Sequence, residues 1–148
     1  CNGAGKTTAS YTILPEILDC KEFVNADEIA RGISPFQPEK VGIEAGRMML
    51  KRINSLLESE ESFAFETTLA GKAYVHRIRS WQSLGYSVKL VFLELRSVEQ
   101  AMAPDVIARR FKAGFSNFEG LYRPLVNEWQ KIDNGGPAPR LLSEGGRP

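Results

Sequence analysis

Cys1-Asn2-Gly3-Ala4-Gly5-Lys6-Thr7-Thr8 opens the chain, and the expected fold is built outward from it. A phosphate-binding loop follows the pattern G-x-x-x-x-G-K-[ST], set between a buried strand and a helix. Gly5, Lys6 and Thr7 fill the end of that pattern. Its first glycine would fall just before Cys1, so that glycine and an apolar strand are expected upstream of this sequence. Gly3 and Gly5 let the backbone curl until successive amide N–H groups face one anion. A helix starting there adds its own unpaired N–H groups and the positive end of its dipole. Asn2, Gly3, Ala4, Gly5, Lys6, Thr7 and Thr8 are therefore the expected nucleotide-binding residues. Lys6 would reach the β- and γ-phosphates, and the Thr7 hydroxyl would ligate Mg²⁺. The plain alternative is a glycine-rich turn before a helix that happens to begin Lys-Thr-Thr.

Downstream, apolar residues alternate between strand-like and helix-like spacing. A helix is expected over 8–18, with Pro15 weakening its second half. A short strand over 22–25 runs into Ala26-Asp27-Glu28, and Ser34-Pro35-Phe36-Gln37-Pro38 reads as a loop. Val41, Ala45, Met48, Met49, Ile53, Leu56 and Leu57 recur at helical spacing. A second short apolar strand, over 62–68, ends in Glu66-Thr67-Thr68. The next helix aligns Tyr74, Ile78, Trp81 and Leu84 and stops at Gly85. The stretch 86–95, with Val88, Leu90, Val91, Phe92 and Leu93, is the clearest candidate for a buried strand. Helical spacing resumes from Ser97 through Arg109-Arg110 to Lys112. Ser116 or Asn117 is expected to cap a last helix carrying Phe118, Leu121, Tyr122, Leu125 and Trp129. Asp133-Asn134-Gly135-Gly136-Pro137 is a turn, and Arg140-Leu141-Leu142 an edge strand. This βα alternation calls for a mostly parallel sheet covered on both faces, within one domain over 1–148.

Composition narrows the function classes. The chain has 148 residues, 43% apolar and 25% charged, as an ordinary globular protein does. A formal net charge of +1 gives no bulk field to draw in nucleic acid or an anionic membrane. Any anion site must be local. Cys1 and Cys20 form neither a disulfide framework nor a metal pattern, so a reducing cytoplasm is the default compartment. No apolar run approaches the roughly 20 residues that span a bilayer.

Ligands of open α/β sheets sit beyond the carboxyl ends of the strands, and two of the short strands end there in acids. Phosphoryl transfer to a hydroxyl needs a carboxylate to orient that hydroxyl and take its proton. Asp27 is the candidate base; the competing reading makes it a helix cap. Glu66, with Thr67 and Thr68, is the candidate acceptor-binding group or outer contact of Mg²⁺. It could equally be a solvated acid at a strand end. Glu94 is a weaker rival for the metal role. Arg109 or Arg110 is the candidate for neutralising charge on the transferring phosphate, against the plainer reading of a basic helix surface with Lys112. His76 reads as a surface residue, and Trp81 and Trp129 as core.

Taken in order, Asn-Gly-Ala-Gly-Lys-Thr-Thr, Phe-Val-Asn-Ala-Asp-Glu-Ile-Ala-Arg, Phe-Ala-Phe-Glu-Thr-Thr-Leu and Gly-Tyr-Ser-Val-Lys-Leu-Val-Phe-Leu resemble the zeta-toxin family of P-loop kinases, in its zeta-toxin-like or predicted ABC-type ATPase branch. The resemblance continues through Arg109-Arg110-Phe111, Asn117-Phe118 and Leu121-Tyr122 to Asp133-Asn134. It implies a nucleoside-kinase-like P-loop NTPase fold, three layers α/β/α. It also implies an ATP- or GTP-dependent, Mg²⁺-requiring kinase of a hydroxyl, such as one on UDP-N-acetylglucosamine, with an antitoxin protein as candidate partner. By this resemblance Lys6 and Thr7 match the nucleotide and Mg²⁺ positions, and Asp27 the acid that activates the acceptor. Glu66 and Thr68 match acceptor contacts, and Arg109 or Arg110 a γ-phosphate arginine. The family carries an arginine-rich stretch with Gly-Gly-His between the equivalents of Ala101-Met102 and Pro104-Asp105. Here Ala103 runs directly into Pro104, so a lid segment is expected to be missing between them. The rival functions are a P-loop ATPase or GTPase and a nucleotide-binding module that has lost catalysis. A GTPase would carry Asn-Lys-x-Asp, which does not occur.

Overall fold

A computed structural model describes residues 20–94, 104–136 and 138–147, with the backbone alone at 104–108 and at Arg110. The phosphate-loop residues, the expected helix over 8–18 and the junction of Ala103 with Pro104 lie outside the described residues. The protein is mixed α/β, with one small parallel sheet and one mixed sheet. It divides into two compact units, which among the described residues are 20–67 and 68–147.

In the first unit, β1 (Phe23–Val24) leads through Asn25 into α1 (Ala26–Ile33). A 3₁₀ turn at Pro38–Val41 then leads into α2 (Gly42–Glu58), and β2 (Ala64–Phe65) follows. The strands are parallel, pairing Phe23 with Ala64 and Val24 with Phe65, which requires a crossover of this helical kind between them. Asn25, not Asp27, caps α1. It sits in extended conformation, and its side chain accepts from the N–H groups of Asp27 and Glu28. Asp27 and Glu28 lie in the first turn and Arg31 in the last, the arrangement that a helix dipole favours. On α2 the buried residues are Ala45, Met49, Ile53 and Leu56. That single stripe at helical spacing is the face α2 turns inward, and α1 packs on α2. Of the other expected positions, Val41 ends the 3₁₀ turn before the helix, while Met48 and Leu57 fall off the stripe, and Met48 is exposed.

The second unit begins with α3 (Ala73–Ser83), which buries Ile78 and Trp81. Leu84 is a correction to the expected apolar face. It occupies the C-cap and is 65% exposed, because the chain leaves helical geometry there. Gly85 follows with φ +94°, a conformation open to glycine at little cost. Then come β3 (Lys89–Glu94), α4 (Pro104–Asn117), a widened π turn (Phe118–Tyr122), β4 (Glu128–Asp133) and β5 (Arg140–Gly146). The sheet order is β3-β4-β5, with β3 and β4 parallel and β5 antiparallel to β4.

The last expected helix needs the largest revision. Neither Ser116 nor Asn117 starts one. The helix runs through Asn117, whose Nδ2 donates to Leu69 O at 2.7 Å. Trp129 lies in β4, opposite Leu90 of β3. Helical spacing from Phe118 to Leu125 is real, but the chain turns before Glu128 and a six-residue ladder with β3 takes over. Local periodicity cannot register that long-range pairing. Phe118 stacks on Phe92 with ring centroids 4.3 Å apart and meets Trp129 edge-on at 6.0 Å. Phe118, Tyr122, Leu125, Val126 and Ile132 are buried. The apolar strand β3 is only half-buried, since among the described residues a strand pairs with it on one side only.

Two polar ties fasten the helices of this unit to its loops. Tyr122 Oη donates to Gly71 O at 2.7 Å, and Gln82 Nε2 donates to both Leu125 O and Asn127 Oδ1 at 2.9 Å. Gly114 meets the backbone more closely still. A Cβ there would lie 2.8 Å from Thr68 O, so only glycine lets α4 approach so near.

Candidate functional site

The parallel register of β1 and β2 fixes where their side chains emerge. With Val24 opposite Phe65, the next residues, Asn25 and Glu66, leave the sheet at the same edge, the carboxyl edge where α/β proteins hold ligands. The ladder runs to this point through Ala64 N to Glu22 O at 2.7 Å and Glu66 N to Val24 O at 3.4 Å. One further rung continues it in side chains: Asn25 Nδ2 donates to Glu66 Oε2 at 3.0 Å. Asn25 Oδ1 accepts from Asp27 N at 2.8 Å and Glu28 N at 3.4 Å. Asn25 is 5% exposed, whereas Asp27, in the first turn of α1, is exposed to solvent.

Asp27 and Glu66 are thus joined through a residue that the sequence reading did not single out. A signal existed: asparagine just before a helix whose first turn carries two acids is a strong capping pattern. Thr67 follows Glu66 and is half-buried. This edge gathers hard oxygen donors and one buried amide. Such a set suits a hydroxyl acceptor or the hydration shell of Mg²⁺, an ion that takes few protein carboxylates and keeps most of its water. Among the described residues no cluster of three or more His, Cys, Asp or Glu forms a metal cage.

The other candidates lie in the second unit. Thr68 Oγ1 accepts from Ala70 N at 3.5 Å, a local turn contact. Arg109 is exposed on α4, and the Arg110 backbone lies in the same helix. Glu94 ends β3 with a cation beside it, Lys131 Nζ at 3.2 Å, and both side chains are mostly covered. Its neighbour in register, Asp133, is buried, accepts from Gly135 N at 2.9 Å and faces Arg140 at 3.8 Å. His76 is exposed and Trp81 buried, as expected. Asn2, Gly3, Ala4, Gly5, Lys6, Thr7 and Thr8 lie outside the described residues. Also among those described, no helix is long and apolar enough to cross a membrane.

No family model matches the chain, and no solved structure matches it. A protein of Haemophilus influenzae, named only as an uncharacterized protein, is 27% identical over 113 residues, covering 76% of this chain and 77% of its own. That similarity gives the chain a relative without giving it an activity.

Proposed function

We propose that this protein is a phosphotransferase of the P-loop type, moving the γ-phosphate of ATP to a hydroxyl of a small acceptor such as UDP-N-acetylglucosamine. The observation that carries the reading is a pair of linked acids, Asp27 and Glu66, at the carboxyl edge of two parallel strands. They stand in a chain whose opening residues have the composition of a phosphate loop.

Asn2 to Thr8 would hold the triphosphate by backbone N–H groups, with Lys6 against the β- and γ-phosphates. Mg²⁺, ligated by Thr7, would offset the phosphate charge. Asp27 stands in solvent on a helix fixed by its cap, so it can reach the acceptor hydroxyl. It accepts the proton of that hydroxyl as the new O–P bond forms and the bond to the departing ADP breaks. Glu66 and Thr67 orient the acceptor by accepting and donating hydrogen bonds. By the family resemblance alone, Thr68 would be a further acceptor contact and Arg109 or Arg110 would neutralise charge on the γ-phosphate.

Product analysis tests this directly. Incubation with ATP and nucleotide sugars should yield phosphorylated sugar and ADP in equal amounts, read by mass spectrometry, whereas a simple ATPase releases free phosphate without an acceptor. Asp27→Asn should lower transfer by about 100-fold or more, the usual weight of a general base. Nucleotide binding should hardly change. Unimpaired transfer by this variant would remove Asp27 from the role of base.

A further inference from the structure

We propose that Asn25 is the positioning residue of this site, one side-chain amide that fixes both the helix carrying Asp27 and the carboxylate of Glu66. The inference takes the site's role from the kinase reading, but the contact itself stands on geometry. The orientation of the amide is dictated by its partners. Oδ1 lies 2.8 Å from Asp27 N and 3.4 Å from Glu28 N. Backbone N–H groups only donate, so the oxygen must face them and the NH₂ must face the other way. That NH₂ meets Glu66 Oε2 at 3.0 Å, and a carboxylate oxygen is an acceptor. Donor and acceptor are matched on both sides, at a residue only 5% exposed, where a mismatch is costly.

The chemistry selects asparagine for both tasks together. Asp, Ser and Thr also cap helices well. Asp would turn a second carboxylate oxygen toward Glu66, and Ser or Thr would satisfy the helix with a hydroxyl that cannot also reach across as an amide does. β1 and β2 are each two residues long, so the backbone ladder alone is a weak hold on the geometry beyond it. The Asn25 amide extends that ladder by one rung, so that the base on α1 and the acceptor-binding acid after β2 keep a fixed spacing. Small errors in such spacing have large kinetic consequences.

The experiment uses the full chain, ATP and UDP-N-acetylglucosamine. Asn25→Ser keeps a capping oxygen and deletes the donor. It should raise the acceptor KM about tenfold, the order expected for one hydrogen bond to a charged group, and leave the KM for ATP within about twofold. A purely structural role would move both constants together or neither, and an unchanged acceptor KM would overturn the proposal. The second arm needs no acceptor. Asn25→Asp should lower the melting midpoint by about 4 °C. Adding Glu66→Gln to that variant supplies an amide on the opposite side and should recover most of the loss. Simple additivity of the two substitutions would overturn the proposed contact. A wild-type protein that transfers no phosphate, yet shows the recovery, would overturn the kinase reading alone.

Discussion

Both units end parallel strands in acids, yet they treat those acids differently. Beyond β1 and β2, Glu66 accepts from a neutral amide, Asn25 at 3.0 Å. Beyond β3 and β4, Glu94 has an ammonium, Lys131 at 3.2 Å, and Asp133 has the guanidinium of Arg140 at 3.8 Å. A neutral donor orients a carboxylate without cancelling its charge, while a cation beside it does both. The strands differ in the same sense. β1 and β2 are two residues each, β3 and β4 six. The second unit thus has the long ladder, the aromatic packing and the compensated acids of a scaffold. The first has the short ladder, with an amide, Asn25, on its acid Glu66.

The contrast is most easily broken in the aromatic cluster. Phe118 is 0% exposed and stacked on Phe92, whereas Phe36, in the loop after α1, is 97% exposed. Phe118→Ala should destabilise the protein by about 3–5 kcal/mol in denaturant titration, and Phe36→Ala by less than about 0.5 kcal/mol. Similar losses for both would refute a core centred on Phe118. The acids give a somewhat smaller effect and a sharper comparison. Glu66→Gln should lower kcat/KM for the acceptor by about 100-fold. Glu94→Gln should leave it within about threefold and reduce stability by about 1 kcal/mol, the upper end for a pair that still reaches solvent. Equal kinetic losses would mean that both strand edges serve the reaction.

The smallest effect is alkaline and belongs to the second unit. Burial holds the Tyr74 phenol above its ordinary value, against the opposing charge of Arg77. Burial does the same at Tyr122, against a hydrogen bond with the Tyr74 backbone. Both folded phenols hold their protons longer than the unfolded chain does, whose tyrosines ionise near pH 10. Their contribution to stability is therefore intact below about pH 10 and is lost as pH rises through the folded values. Melting midpoints measured between about pH 9 and about pH 11 should fall, and less steeply in Tyr74→Phe. A slope unchanged by that substitution would take Tyr74 out of the account.

Much of this architecture could be read from local pattern. The stripe Ala45, Met49, Ile53 and Leu56 announces α2, Gly85 ends α3, and Arg140-Leu141-Leu142 begins the edge strand. Asp27 and Glu66 follow from their places after short apolar strands. These signals are legible because capping, helical periodicity and turn chemistry act over a few residues. What the tertiary structure decided is long-range. Trp129 has helical spacing from Leu125 but lies in a strand, because Leu90 is its partner 39 positions away. Asn25 looked like an ordinary strand-end residue until Glu66, 41 positions later, was brought to its amide. Spacing along the chain states which face a side chain takes within its own element. Which distant group meets that face depends on the pairing of strands, and only the folded backbone sets that pairing.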